Sequence, residues 1–115
     1  MEIVHISMNH VVEDTYRLKG VLIDVRDRED YAKGHIPGAI NIPMVYIDSD
    51  QVFLKRERPL VFYCDRGSQS ILAARKYMQA GYEVVNVVGG FAYYKGYVEK
   101  TNTVIPGYGY KGVLS

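Results

Sequence analysis

Four short runs rich in valine, isoleucine and leucine constrain the fold of this chain more than any other feature. They read EIVHI, GVLIDV, PLVFYC and YEVVNVV, and segments with helix or turn signals separate them. Runs of this kind are typical of buried strands, and strands that alternate with helices are typical of βα units. A chain of 115 residues is long enough for one domain but short for two. The pattern therefore predicts one α/β domain with a mostly parallel sheet.

Two of the intervening segments carry signals for short helices. Residues 8–18 are amphipathic and follow Ser7, a candidate N-cap. Asp27 is a candidate cap for a second helix, which has acidic residues in its first turn and ends at Gly34. We expect both helices to pack against the sheet.

The second half of the chain is less regular outside its strands. Ser70 is a candidate cap for an amphipathic helix that stops at Gly81 in the left-handed conformation. The stretch HIPGAINIP predicts an extended connector because of its two prolines. Residues 44–58 have a weak pattern and predict a solvated loop, and residues 99–115 predict an irregular tail.

Composition excludes several classes of function. The chain has 14 basic and 13 acidic residues, which gives no reason to expect a nucleic-acid or membrane partner. No apolar run approaches the length of a membrane span, and MEIVHISMNH lacks the unbroken apolar stretch of a signal peptide. A single cysteine cannot form an internal disulfide. We therefore expect a soluble, cytoplasmic protein.

The single cysteine, Cys64, stands where an apolar run ends and a turn begins, in VFYCDRGSQS. Loops that follow parallel strands present backbone N–H groups at a helix N-terminus, and such groups stabilise a thiolate. Gly67 permits the tight turn, Ser70 can cap the following helix, and Arg66 adds a cation. A thiol of this kind has to be reachable from solvent. The alternative is that Cys64 is a small buried hydrophobic residue at the end of a strand.

Three stretches resemble the rhodanese family in order and spacing. CDRGSQS is similar to its cysteine loop, LIDVRDREDYAKGHIPGAINIP to its upstream signature, and VVNVVGGFAYYKG to its closing Gly-Gly segment. The resemblance covers about residues 18–98, and it implies a three-layer α/β fold with a central parallel sheet of about five strands. We expect a rhodanese-like domain over residues 1–98 and the tail beyond it.

The resemblance implies a sulfurtransferase that carries sulfane sulfur as a persulfide on the catalytic Cys64. The donor would be a small molecule such as thiosulfate, the acceptor a thiol, cyanide or a thiol-bearing protein, and no metal or organic cofactor would be needed. The expected substrate-binding residues are those of the loop: Asp65, Arg66, Gly67, Ser68, Gln69 and Ser70. Position 70 is serine, whereas cysteine phosphatases place an arginine six residues after the nucleophile.

This chain departs from the family pattern at two positions. Gln69 stands where many members carry arginine, which changes the expected preference for anions, and Tyr94 stands where tryptophan is frequent. Because rhodanese folds also serve without turnover, a non-catalytic binding or sulfur- and redox-sensing module remains the alternative.

Polar residues outside the loop predict structural roles. Asp24 and Arg26 follow a strand and favour an ion pair, and the resemblance implies that His35 fixes the connector rather than acting as a base. His5 and His10 do not share a helix face and offer no metal-ligand set.

Overall fold

The main sheet has five strands, all parallel, in the order β1-β6-β5-β2-β3. The computed structural model describes residues 2–48 and 53–101, and the backbone of 113–114. The strands of this sheet are β1 (Val4–Ser7), β2 (Val21–Asp24), β3 (Ile40–Asn41), β5 (Leu60–Tyr63) and β6 (Val84–Val88). The predicted parallel sheet is confirmed, and the four apolar runs supply four of its strands.

In the described part of the chain, four helices connect and cover the strands. They are α1 (Val11–Leu18), α2 (Arg28–Lys33), α3 (Met44–Asp48) and α4 (Ser68–Gln79). A single 3-10 turn, Met8–His10, precedes α1, and the Ser7 side chain accepts a hydrogen bond from Asn9 N, so the predicted cap is confirmed. Asp27 stands at the N-cap of α2, but its side chain makes no capping hydrogen bond. Within the described ranges, no helix is long and apolar enough to cross a bilayer.

The prediction of a solvated loop over residues 44–58 is wrong at its start. Helix α3 forms there because Pro43 O accepts hydrogen bonds from Tyr46 N and Ile47 N, and Ile47 is buried in the core. A short strand, β4 (Phe53–Leu54), pairs in parallel with β7 (Val113–Leu114).

Only part of the predicted irregular tail, residues 99–115, lies within the described residues. Glu99 pairs with His35 through two backbone hydrogen bonds, and β7 lies within the same predicted tail. Residues 102–112 and 115 lie outside the described residues. The domain boundary at residue 98 therefore stays a prediction.

Alternation along β5 divides the core into two layers. Leu60 and Phe62 pack toward α3 and α4, whereas Val61 and Tyr63 pack toward the face that carries α1. All four residues of this strand are buried, as expected for the central strand of a sheet that is covered on both faces. The three-layer architecture is thereby confirmed, and β5 ends at the centre of the carboxyl edge.

A buried carboxylate, Asp24, ties β2 to β5. Its Oδ2 accepts hydrogen bonds from Tyr63 Oη at 2.7 Å and from Arg26 Nη2 at 2.7 Å. Tyr63 Oη in turn accepts from Ile36 N at 3.2 Å. Burial and the neighbouring Asp24 charge raise the pKa of Tyr63 well above its usual value. The phenol therefore keeps its proton, and the predicted Asp24–Arg26 ion pair is confirmed as a structural one.

Replacing Tyr63 by phenylalanine should destabilise the protein by about 1–3 kcal/mol, because Asp24 loses a donor and Ile36 N loses its acceptor. The loss should be fully present below pH ~10, where the tyrosine is protonated in both folded and unfolded chains. Above that pH the unfolded chain ionises first, so the wild type loses stability and the difference shrinks. Urea unfolding at several pH values measures this. Tyr16→Phe, at a tyrosine that is 86% exposed, is the control, and equal effects of the two substitutions would contradict the prediction.

Candidate active site

Cys64 lies at the carboxyl end of the central strand, immediately after β5. Residues 65–67 form a bend, and α4 begins at Ser68. In open parallel sheets this edge is where ligands bind, because the loops and helix N-termini face it. The strand-to-helix junction predicted for Cys64 is confirmed.

Gly67 makes the bend possible. Its φ of +92° is the left-handed conformation, which glycine adopts without a Cβ clash. This conformation directs Gly67 N toward the sulfur, and its N–H donates to Cys64 Sγ at 3.0 Å. The sequence analysis expects backbone N–H groups of this loop to stabilise a thiolate. Among the backbone N–H groups of the described residues, the Gly67 amide is the one that forms a hydrogen bond to the sulfur.

Ser70 is not the helix cap that the sequence predicts, because α4 begins two residues earlier and Gly67 occupies the N-cap position. The side chain is completely buried instead. Its Oγ lies 3.5 Å from Cys64 Sγ and donates to Asn86 Oδ1 at 2.7 Å. The serine therefore supplies a hydroxyl beside the sulfur rather than a capping group.

Four loop side chains surround this site on the outside. Asp65, Arg66, Ser68 and Gln69 are all exposed. Arg66 Nε lies 3.8 Å from Asp65 Oδ2, so the positive charge of Arg66 has a carboxylate of the same loop beside it. No hydrogen bond or ion pair given by the described residues joins Arg66 to Cys64, and its expected role in binding the substrate stays a prediction.

The thiol itself is buried, contrary to the expectation of a reachable sulfur. Cys64 is 1% exposed and belongs to the apolar cluster on the α3 and α4 side of the sheet. Its neighbours are the Gly67 amide, the Ser70 hydroxyl and the apolar side chains of that cluster, so packing on the α3 and α4 side replaces solvent around the residue.

The Gly-Gly segment after β6 holds the cysteine loop from the other side. Phe91 N donates to Cys64 O at 2.7 Å, and Ala92 N donates to Asp65 O at 2.9 Å. Gly90 has a φ of +70°, and a Cβ there would overlap the Asp65 carbonyl and lie 2.6 Å from Arg66 Cα. The closing Gly-Gly segment of the resemblance therefore lies directly against the cysteine loop, and Gly90 permits the close approach.

Gly90→Ala should push the cysteine loop out of place because the added methyl overlaps the backbone of Asp65. We expect a loss of about 1–3 kcal/mol in the free energy of unfolding and a larger fractional loss of thiol reactivity than of folded protein. Gly38→Ala is the matched control: its φ is also positive, at +84°, but nothing lies within 4 Å of the added Cβ. Urea unfolding and alkylation of Cys64 measure the two effects. Equal behaviour of the two variants would show that the close contact is unimportant.

Two contributors to this site have little or no signal in the sequence. Asn86 on β6 is 4% exposed and pairs with Ser70, although the only signal in the sequence was a polar residue within an apolar run. Phe91 and Ala92 contribute through their backbone amides, which no pattern of side chains in the sequence reveals. A second polar residue, His35, contacts Tyr31 O through Nδ1 at 2.8 Å and stacks on the Tyr31 ring, which agrees with its predicted role in fixing the connector.

A groove of about 970 Å³ lies at the opposite edge of the sheet, near the amino ends of β2, β5 and β6. Its lining includes Gly20, Pro59 and Glu83, and none of the residues 64–70. The groove is therefore separate from the cysteine chemistry. In the part of the chain that the structure describes, no group of three or more His, Cys, Asp or Glu residues could hold a metal ion.

The sequence matches the family model of the rhodanese-like domain over residues 9–97. The match covers both the cysteine loop and the segment that braces it. The chain therefore belongs to the rhodanese-like domain family.

Relatives and solved structures agree with this assignment. The chain is 38% identical over 81 residues to a tRNA sulfurtransferase from Desulfurococcus amylolyticus, covering 70% of this chain but 16% of that protein. It is 32% identical over 76 residues to the thiosulfate sulfurtransferase GlpE from Coxiella burnetii, covering 65% of this chain and 71% of that one. The crystal structure of a rhodanese-like domain protein from Staphylococcus aureus superposes with a TM-score of 0.75 at 25% identity, over 87% of this chain and all of that one.

Proposed function

We propose that this protein is a sulfurtransferase that moves sulfane sulfur through a persulfide on Cys64. The single observation that carries the proposal is the position of this thiol at the end of the central strand, with the Gly67 amide 3.0 Å from Sγ. An amide aimed at sulfur stabilises negative charge there, both on the thiolate and on sulfur bound to it. Relatives named sulfurtransferase support the same chemistry.

The first half reaction transfers one sulfur atom to the enzyme. The Cys64 thiolate attacks the outer sulfur of thiosulfate and forms a new S–S bond. The bond between that sulfur and the sulfonate sulfur breaks, and sulfite leaves with the electron pair. Charge balances, since the thiolate becomes a persulfide anion and the thiosulfate dianion becomes the sulfite dianion.

The second half reaction returns the enzyme to its starting state. Cyanide or a thiolate attacks the terminal sulfur of the persulfide, the S–S bond to Cys64 breaks, and the cysteine leaves as thiolate. The products are thiocyanate or a new persulfide. The cycle is ping-pong covalent catalysis, and it requires neither a general base nor a metal or organic cofactor. The donor, the acceptor and a cytoplasmic setting all belong to this proposal.

Incubation of the pure protein with thiosulfate should add one sulfur atom to Cys64, and cyanide should remove it with release of thiocyanate. Mass spectrometry of the intact protein and of the peptide that contains Cys64 follows both steps. Cys64→Ser should lose sulfur loading completely, because serine is not a competent nucleophile without a base, while circular dichroism shows an intact fold. Loading that persists in this variant would exclude Cys64 as the carrier.

Burial of Cys64 supports a second candidate function, a binding or sulfur- and redox-sensing module without turnover. A sulfur that is 1% exposed exchanges with substrates only when its loop opens. Loading by thiosulfate without discharge by cyanide or thiols would favour sensing. Absence of loading under native conditions, with normal alkylation of the unfolded chain, would favour a binding module.

Because residue 69 is glutamine, we expect a low kcat/KM for a doubly charged donor. The exposed rim of the site carries one acid, Asp65, and one base, Arg66, beside each other. Gln69→Arg should raise kcat/KM for thiosulfate about tenfold, because a charge-assisted hydrogen bond contributes about 1.5 kcal/mol or more. The gain should fall as salt concentration rises. Steady-state thiocyanate formation measures it. Gln69→Met, similar in length and uncharged, is the control, and an equal gain there would contradict an electrostatic cause.

A further inference from the structure

Three groups of the described residues lie within hydrogen-bond distance of the Ser70 hydroxyl. Its Oγ lies 2.7 Å from Asn86 Oδ1, 3.5 Å from Gly67 O and 3.5 Å from Cys64 Sγ. A serine hydroxyl has a single hydrogen to donate. The short distance makes Asn86 Oδ1 the stronger acceptor of that hydrogen and Gly67 O the weaker one, and in this geometry the Cys64 thiol is a donor to Ser70 Oγ.

Loss of the thiol proton changes what the sulfur needs. A thiolate accepts hydrogen bonds and donates none, so it gains from the Gly67 amide and from the Ser70 hydroxyl if that hydroxyl turns toward it. Both Cys64 and Ser70 are almost fully buried, which excludes water as an easy replacement donor. The hydroxyl can turn only by leaving Asn86 Oδ1 without its donor. Asn86 therefore opposes the ionisation of Cys64 in the orientation described.

The orientation of the Asn86 amide is itself held by a neighbouring strand. Asn86 on β6 pairs in register with His5 on β1, and its Nδ2 lies 3.3 Å from His5 Nδ1. A neutral imidazole nitrogen that accepts this N–H keeps Oδ1 turned toward Ser70. If the amide were rotated by half a turn, its N–H would face Ser70 Oγ and release the hydroxyl hydrogen to the sulfur.

We propose that Asn86 is a positioning residue that sets the ionisation of Cys64 by holding the only hydroxyl hydrogen of Ser70. Asn86 acts through Ser70, and within the described residues it forms no hydrogen bond to the sulfur. The functional meaning of this control rests on the proposed sulfur transfer, since the thiolate is the form that attacks the donor.

The pH at which Cys64 is half ionised tests the proposal directly. It is read from the ultraviolet absorbance of the thiolate, with the corresponding Cys64→Ser protein subtracted to remove the tyrosine signal. Asn86→Leu should lower this pH by about one unit, because the Ser70 hydrogen becomes available to the sulfur and one unit corresponds to a tenfold change in ionisation. The same substitution in a Ser70→Ala background should change nothing.

Asn86→Asp keeps the shape of the side chain and guards against misfolding of the leucine variant. Its carboxylate should raise the pH of half ionisation in two ways: it holds the Ser70 hydrogen more firmly, and its negative charge disfavours the thiolate. The part that Ser70 carries is the part that is lost in the Ser70→Ala background.

The proposal is overturned if Asn86→Leu leaves the pH of half ionisation unchanged or raises it, or if its effect survives in the Ser70→Ala background. Because the measurement uses no sulfur donor, it separates this inference from the proposed function. If the pH of half ionisation shifts as expected but no sulfur is loaded, the sulfurtransferase proposal is rejected and Asn86 remains a positioning residue. If sulfur is loaded but the pH of half ionisation does not shift, the inference about Asn86 is rejected and the sulfurtransferase proposal stands.

Discussion

The hydrogen bond between Tyr63 and the buried Asp24 is the constraint on which the rest of the site depends. Asp24 ends β2, Tyr63 ends β5, and Cys64 is the next residue. A carboxylate buried away from water requires donors, and it has them from Arg26 and Tyr63. The need to satisfy this charge fixes where β5 ends, and with it the height of the sulfur at the carboxyl edge of the sheet.

Beyond the end of β5, main-chain groups hold the cysteine loop in place. The loop carbonyls of Cys64 and Asp65 are taken by amides that follow Gly90, and its own turn depends on Gly67. These contacts leave the side chains of the rim to vary without disturbing the backbone. A change of charge at a position such as Gln69 therefore need not move Cys64.

The sequence predicted the parts of the molecule that side-chain patterns encode. The four apolar runs gave four strands, Gly81 adopts the predicted positive φ, and Asp24 pairs with Arg26. Prediction from the sequence failed where main-chain contacts between distant residues determine the local structure. Helix α3 depends on how Pro43 and Ile47 meet the core, which a weak local pattern cannot show.

In the candidate site, too, side-chain patterns were predictable and long-range contacts were not. Cys64, Gly67 and Ser70 were found from their order in one loop, but the orientation of Ser70 depends on Asn86, sixteen residues further along the chain. The burial of the sulfur could not be predicted either, because it depends on packing among segments that are distant in the sequence. Periodicity in a sequence reports which face of an element is apolar, not how closely two loops approach.

The burial of Cys64 also has a consequence for its oxidation. Oxidation of cysteine by peroxides follows thiolate character and exposure, and beyond the sulfenic acid it is largely irreversible. With Cys64 1% exposed, peroxides in bulk solvent have little access to its sulfur. Burial therefore protects this thiol from irreversible damage.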